Sequence, residues 1–252
     1  MAGVQYVRFA QPVTPVVKRQ DQEPPFFNAE EALACARESG KSLWQLALDY
    51  ECGYGCVTKS ELEALVGRVQ QVMEASTIAP DPNFTPVYGF LPYSCRNMEQ
   101  NVGRTRQIDA GLLTGAMQTA IAVMENSCAH HIVAAAPTAG SSGVIPAAVV
   151  YAGTQMGLPK EELDRALLTA GLVGVFIANQ ATFGAEVGGC QAENGSASAM
   201  AAAGVVQPLG GTAIPAAASD ERGSSCFRKN RKGIRTLLKR QRPHALICRS
   251  LF

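Results

Sequence analysis

The sequence predicts an all-α protein, a compact bundle of helices that are rich in small residues. Apolar residues make up 47% of the 252 residues, yet aromatic residues make up only 6%. Alanine therefore supplies much of the apolar content, and alanine has the highest helix propensity. Several segments show apolar residues at helical spacing, whereas no long run alternates in the manner of a strand. We expect closely packed helices and two glycine-rich loops between them.

The first helices are predicted between residues 27 and 76, after a polar leader. Residues 1–26 contain four prolines and are predicted to be flexible. Asn28 is a typical N-cap, and Gly40 is a typical helix stop. Thr58 and Glu61 have the spacing of a capping box for a longer amphipathic helix. The apolar residues that would share one face of this helix are Leu62, Leu65, Val66, Val69 and Met73.

The central part of the chain is predicted to alternate between connections and helices. Residues 77–106 carry four prolines and are predicted to form a long irregular connection. A loop is expected at residues 181–192, followed by a small-residue helix that ends at Gly204. Between residues 106 and 181 we predict three helices, at residues 107–126, from Pro146 to about Met156, and at residues 159–180. The last of these is apolar on nearly all sides, so we expect it to be central.

Charge divides the chain into a helical domain, residues 27–213, and a basic tail, residues 214–252. Residues 221–252 hold ten Lys or Arg and one acidic residue, a net charge of +9, whereas the rest holds 12 basic and 20 acidic residues, a net charge of −8. Such a tail could bind nucleic acid or an acidic membrane surface through phosphates. It has no interleaved aromatic residues and no nucleic-acid motif, so we expect no nucleic-acid partner.

The eight cysteines and the apolar runs indicate the compartment. The first 20 residues lack the apolar core of a signal peptide. No run reaches the roughly 18 to 20 apolar residues of a membrane span. We therefore predict a cytoplasmic protein without a membrane segment, whose cysteines are reduced, buried or metal-bound.

The first segment with candidate chemistry is PTAGSSG, residues 137–143, within the run AAAPTAGSSGVIPAAVV. A Gly/Ser/Thr loop that enters a helix gathers free NH groups and can bind a carboxylate or phosphate. No lysine follows the glycines, so it is not a Walker loop. The alternative is a capped turn between two helices, with Ser141 or Ser142 as the cap. The candidate binding residues are Thr138, Ala139, Gly140, Ser141 and Ser142.

The second segment, FGAEVGGCQAENGSASAMAAAG, covers residues 183–204 and is called the Cys190 segment below. Cys190 lies among glycines near the start of a predicted helix, where a thiol can act as a nucleophile or a metal ligand. The alternative is a buried free thiol, a common fate of cysteine. Glu186 and Glu193 could serve as bases or could cap the following helix, and Asn194 is a further candidate for substrate binding.

Together the two segments resemble the alpha chain of the iron–sulfur-dependent L-serine dehydratases. The resemblance extends beyond them and covers roughly residues 27–76 and 106–211. It implies elimination of water from L-serine, giving aminoacrylate and then pyruvate and ammonia. It also implies a [4Fe-4S] cluster held by three cysteines, whose open iron acts as a Lewis acid on the serine hydroxyl. A base removes the Cα proton, and the alpha part works with a beta chain that is often separate.

The resemblance also assigns roles to residues. Cys190 falls on the first cluster ligand, and PTAGSSG falls on the active-site loop that would hold the serine carboxylate through its NH and hydroxyl groups. The candidate catalytic carboxylates, Glu186 and Glu193, come from the residues themselves. The resemblance does not identify the Cα base, which could also come from the beta chain. Asn194 joins the PTAGSSG residues in substrate binding.

The chain departs from the family pattern after Ala213. The other two ligands of the family lie in a segment of the form L-G-L-V-C-D-P…P-C, and residues 214–252 contain no such segment. Cys226 and Cys248 lack a neighbouring Asp-Pro. Because the charge reversal falls at the same place, we hypothesise a shifted reading frame, which resequencing of the coding DNA from the codon for Gly204 would test. With one ligand of three, this chain is predicted to be inactive alone, and the alternative is a non-catalytic remnant that packs against a beta chain.

Overall fold

The computed structural model describes residues 24–55, 57–80, 94–101 and 110–210, and within these ranges every regular element is helical. The predicted all-α class is therefore confirmed. The elements are α1 (Ala29–Ser39), α2 (Leu43–Gly53), α3 (Lys59–Ser76), α4 (Ser94–Asn101), α5 (Leu112–Cys128), a 3₁₀ turn (Ala139–Ser141), a π-helix (Pro146–Tyr151), α6 (Ala152–Gln155), α7 (Lys160–Gln180), α8 (Ala185–Gly188) and α9 (Cys190–Val206).

The caps predicted for the first helices are confirmed. The Glu31 NH donates to Asn28 Oδ1 at 2.9 Å, which satisfies one of the free amides at the start of α1. Gly40 ends this helix in the left-handed conformation with φ 69°. Thr58 and Glu61 form the reciprocal capping box at the start of α3. Local sequence is therefore sufficient to set these helix ends.

Helix α7 runs through the centre of the bundle, as predicted. It begins after Pro159 with acidic residues in its first turn, and residues 166–178 are all buried. A helix that is buried on every side must be covered by neighbours on every side. Here α2 and α3 cover one side of α7, and α9 and the π-helix cover another.

Three aromatic rings form the centre of the core on the α2 side of α7. The ring centroid of Phe26 lies 5.4 Å from that of Tyr50 and 6.0 Å from that of Phe176, in the range of favourable aromatic pairs. All three side chains are almost fully buried. Phe26 is the last residue of the predicted leader and belongs to this core, while residues 1–23 of that leader lie outside the described residues.

The predicted irregular connection between residues 77 and 106 contains a helix, so that prediction is wrong for α4. The NH of Ser94 donates to Glu125, and the NH of Cys95 donates to the same carboxylate at 3.4 Å. A carboxylate on α5 thus satisfies free amides at the start of α4. Because this cap comes from a residue about thirty positions away, local sequence pattern does not reveal it.

Two other segments differ from the prediction in their winding. The helix that begins at Pro146 has the predicted extent, but its first six residues wind as a π-helix before α6 continues it. The predicted loop at residues 181–192 contains α8, and α9 begins at Cys190 instead of residue 193. The second glycine-rich loop is therefore largely helical. None of the helices in the described ranges combines the length and the apolar character needed to cross a membrane.

Candidate functional site

The structure brings the PTAGSSG segment and the start of α9 together. Thr138 Oγ1 donates a hydrogen bond of 2.7 Å to Glu193 Oε1, across 55 positions of sequence. The same carboxylate lies against Gly140, where an added Cβ would stand 2.7 Å from Glu193 Oε1. The two segments with candidate chemistry therefore form one site, and it contains both a glycine-rich turn and the N-terminus of a helix.

The PTAGSSG segment folds as a short 3₁₀ turn that satisfies its own hydroxyl groups. Ser141 and Ser142 are 1% and 0% exposed. The Ser142 hydroxyl donates to the carbonyl of Ala139 at 2.9 Å, and the Ser141 hydroxyl lies 3.1 Å from Thr138 Oγ1. These side chains thus build a capped turn. Its N-cap is Thr138 and not Ser141 or Ser142, and the helix from Pro146 has no side-chain cap, so the predicted cap residues are wrong.

Two amides of this turn remain available. Ala139 and Gly140 are exposed, and their NH groups donate no hydrogen bond to any of the described residues. By contrast, the NH of Ser141 donates to Thr138 and the NH of Ser142 to Ala139. Two adjacent free NH groups can donate hydrogen bonds to one anionic oxygen.

Cys190 is the first residue of α9, and its thiol is free and exposed. Gly189 immediately before it has φ 70°, a backbone conformation that glycine adopts without strain. The side-chain amide of Asn194 donates to the Cys190 carbonyl at 3.3 Å, one turn into the helix. The alternative of a buried thiol at Cys190 is therefore wrong, because the side chain is open to a ligand.

Glu186 lies on α8, just before Cys190. Its side chain is exposed and makes no hydrogen bond or ion pair with another described residue. It thus differs from Glu193, which is half-buried and hydrogen-bonded to Thr138. The Glu186 carboxylate lies against the backbone of Gly184, as that of Glu193 lies against Gly140. The two carboxylates therefore differ in the hydrogen bond that Glu193 accepts from Thr138.

The described residues supply one thiol to the site and do not complete a cluster by themselves. A four-iron cluster requires several cysteine thiolates. No group of three or more His, Cys, Asp or Glu that could hold a metal occurs in the part of the chain that the structure describes. Cys226 and Cys248 lie outside the described residues. An exposed cysteine at a helix start suits one ligand of such a group.

The other described cysteines form no disulfide with one another, and two of them have contacts or environments of their own. The Cys95 thiol donates to Glu125 Oε2 at 2.6 Å in the cap of α4. Burial raises the pKa of the Cys52 thiol, and the nearby carboxylates of Asp49 and Glu51 raise it further. A thiol with a raised pKa is less available as a thiolate ligand.

Helix α5 backs the PTAGSSG segment, a contact that the sequence interpretation missed. An added Cβ at Gly143 would stand 2.5 Å from the Ala120 carbonyl oxygen. The Ser142 hydroxyl lies 3.6 Å from Met124 Sδ. The available signal was Gly143 itself, since a glycine beside a helix start often permits close approach of another backbone.

Comparison with known proteins shows the family to which the chain belongs. The family model described as "Serine dehydratase alpha chain" matches residues 33–219, a span that contains both segments of the site. The chain belongs to the serine dehydratase alpha chain family. The identification rests on most of the bundle and not on the two short segments alone, which confirms the resemblance inferred from the sequence.

The serine dehydratase alpha chain relatives include three bacterial proteins. "L-serine dehydratase, alpha chain" of Peptoniphilus asaccharolyticus is 34% identical over 185 residues, covering 73% of this chain and 63% of the relative. "Probable L-serine dehydratase, alpha chain" of Bacillus subtilis is 30% identical, covering 74% and 62%. "L-serine dehydratase 1" of Escherichia coli is 31% identical, covering 75% and 42%. The chain spans less than two thirds of the length of these relatives.

Proposed function

We propose that this chain is the alpha-type part of an L-serine dehydratase, which converts L-serine to pyruvate and ammonia. Membership of the serine dehydratase alpha chain family supports the reaction class. The observation that carries the proposal for the site is the contact between the PTAGSSG segment and α9, where Thr138 bonds Glu193. This contact joins a candidate carboxylate site to the exposed Cys190 helix start.

The serine carboxylate would bind at the PTAGSSG segment. The free NH groups of Ala139 and Gly140 would donate hydrogen bonds to its oxygens, as backbone amides in a turn do to bound anions. Thr138, Ser141 and Ser142 would shape this turn through their hydrogen bonds. Asn194, exposed on the first turns of α9, would add a polar contact to the substrate. These roles are assignments to be tested by substitution.

Cys190 would supply one ligand of a [4Fe-4S] cluster, with the other ligands from outside the described residues. When bound, such a cluster supplies a Lewis-acidic iron suited to a hydroxyl leaving group. The contribution of this chain is to hold the thiol at the start of α9, fixed by Gly189 on one side and by the helix on the other.

Removal of the Cα proton is the second chemical requirement. The candidate bases are Glu186 and Glu193. A base must have a free lone pair within reach of the proton that it takes. Glu186 is exposed and has no hydrogen bond with another described residue, which favours it over the hydrogen-bonded Glu193.

We further propose a beta chain as the partner of this one, because the chain matches relatives named as alpha chains. The chain by itself is expected to be inactive, since it presents one family-type ligand. The cytoplasmic location stays a prediction from the sequence. The absence of nucleic-acid binding by residues 221–252 also stays a prediction, because these residues lie outside the described ranges.

Anaerobic reconstitution with iron and sulfide tests the proposal, with pyruvate formation from L-serine as the readout. We expect no turnover by residues 1–252 alone. We expect turnover when a cysteine-bearing C-terminal region of the family type and a beta chain are supplied, and its loss in Cys190→Ser. Cys128→Ser, a change at another exposed cysteine, is the matched control and should retain activity.

Each arm of this experiment can contradict a separate statement. Pyruvate formation by residues 1–252 alone would overturn the predicted inactivity. A complete assembly that binds iron and does not act on L-serine would overturn the proposed reaction. Full activity of Cys190→Ser would overturn the assignment of Cys190 as a cluster ligand.

A further inference from the structure

The carboxylate of Glu193 touches the PTAGSSG segment at two points. It accepts the hydrogen bond from Thr138 Oγ1 at 2.7 Å. It also fills the space beside Gly140, where a Cβ would come within 2.7 and 2.9 Å of its two oxygens. A hydroxyl bonded to an ionised acceptor forms one of the stronger hydrogen bonds in proteins. The contact therefore restrains both the first residue of the turn and its exposed glycine.

Glu193 is itself held on a firm support. Its neighbours on α9, Ala192 and Ser196, are 0% exposed, and the Ser196 hydroxyl donates to the Ala192 carbonyl at 2.6 Å. The side chain thus projects from a packed helix toward a turn that α5 also contacts. A group fixed in this way is suited to hold geometry, since its own position is set by packing.

We propose that Glu193 is a positioning residue, whose carboxylate fixes the turn carrying the free NH groups of Ala139 and Gly140. This inference rests on the proposed function, in that those NH groups receive the serine carboxylate. It assigns the two carboxylates of the site different tasks. Glu193 acts on the substrate through the turn, and Glu186 is the carboxylate left to take a proton.

The position of Gly140 follows from the same contact. Any side chain there would displace the Glu193 carboxylate or be displaced by it. Glycine at this position thus lets the carboxylate approach the turn, and the hydrogen bond from Thr138 fixes the distance between the carboxylate and the turn. The proposal accordingly links three residues of two segments, Thr138, Gly140 and Glu193, into one unit that should respond to substitution together.

Amide hydrogen exchange on residues 1–252 tests the proposal, measured at Ser141 and Ser142 with and without L-serine. Thr138→Val and Glu193→Ala should each speed exchange about tenfold, the effect of losing one charge-assisted hydrogen bond. The double variant should exchange no faster than the faster single variant. Thr138→Ser, which restores the hydroxyl, should return exchange to within about twofold of the original.

Controls separate the contact from general loosening. Glu186→Ala removes a carboxylate of the same length on α8 and should leave exchange at Ser141 and Ser142 unchanged. Amides of the buried half of α7 should be equally protected in every variant, which shows an intact bundle. If Glu193→Ala disturbs α7, the variant Glu193→Gln is used instead. Glutamine keeps the shape of the side chain and is a weaker hydrogen-bond acceptor than the carboxylate.

The outcomes for Glu193 and for the proposed function are distinct. Unchanged exchange in Thr138→Val and Glu193→Ala, or additive effects in the double variant, would overturn the positioning role. L-serine should slow amide exchange in the original chain, and a smaller slowing in Glu193→Ala would support the positioning role. Exchange that L-serine leaves unaffected in the original chain would contradict the assignment of this segment to substrate binding, whatever the variants do without serine.

Discussion

The two sides of α7 are packed in different ways. Toward α2, the core consists of large side chains, with Phe26, Tyr50 and Phe176 in ring contact. Toward α9 and the π-helix, small residues let the backbones approach closely, and an added Cβ at Gly204 would stand 2.8 Å from Val149 Cγ2. The first side draws stability from buried apolar area. The second side holds α9, and hence Cys190 and Glu193, at a set distance from the rest of the bundle.

Because of this difference, truncation should destabilise the side of α7 that faces α2, and enlargement should destabilise the side that faces α9. Truncation leaves a cavity among large side chains, where the surroundings relax only in part. Enlargement forces helices apart where small residues are in contact. A change on the large side should therefore alter stability alone, whereas a change on the small side should also move the site.

The largest expected effect is truncation on the aromatic side. Phe176→Ala should lower the free energy of unfolding by about 4 kcal/mol, since it removes a buried ring and leaves a cavity. Urea unfolding followed by circular dichroism measures it. The control is Phe27→Ala, because the Phe27 side chain is 48% exposed and its loss should cost about 1 kcal/mol or less. Equal losses for both variants would contradict the picture of a core centred on Phe176.

A smaller effect is expected from enlargement on the α9 side, where two glycines of one helix form a matched pair. At Gly204 an added Cβ meets Val149 and, at 3.2 Å, the Ala166 carbonyl oxygen. At Gly195 it meets nothing within 4 Å. Gly204→Ala should destabilise by about 1 kcal/mol or more despite its better helix propensity. Gly195→Ala should stabilise by about 0.5 to 1 kcal/mol.

The same unfolding measurement checks the glycine pair, together with the alkylation rate of the Cys190 thiol. We expect that rate to change in Gly204→Ala, since α9 must shift, and to change less in Gly195→Ala. Stabilisation by both substitutions would show that the α9 side tolerates enlargement. It would then remove the contrast between the two sides of α7.

The smallest effect concerns a polar group on α7 near its start. Burial raises the pKa of Asp164, and the neighbouring Glu161 raises it further. The Oδ1 oxygen of Asp164 is buried and has no hydrogen bond among the described residues. Its folded pKa exceeds the ordinary value of 3.8, so the ionised group destabilises the fold above the raised pKa. The penalty disappears below pH 3.8, where both states are protonated.

Asp164→Asn should therefore be modestly more stable than the original chain at pH 7, with a difference that fades on acidification. Urea midpoints at several pH values between 7 and 3 measure this difference. A gain in stability that persists unchanged at pH 3 would show that lost charge is not its cause. The pH dependence separates an electrostatic cost on α7 from the packing on its two sides.

Sequence reasoning succeeded where the cause is local. The Asn28 cap, the Gly40 stop and the capping box of Thr58 and Glu61 each involve residues a few positions apart, and their spacing is visible in the chain. The burial of α7 was likewise predictable, since apolar residues on every side of a helix require neighbours on every side. Sequence reasoning failed at α4, whose cap is supplied by Glu125 from another helix.

By itself the sequence determined the helical class, the central helix, the caps and the two segments that characterise the family. Only the tertiary structure decided that Thr138 and Glu193 touch, that Ser141 and Ser142 turn their hydroxyls inward, and that the Cys190 thiol is exposed at the first residue of α9. The physical reason is range. Propensity and capping act within a few residues, whereas the approach of two segments 55 positions apart depends on how the intervening helices pack.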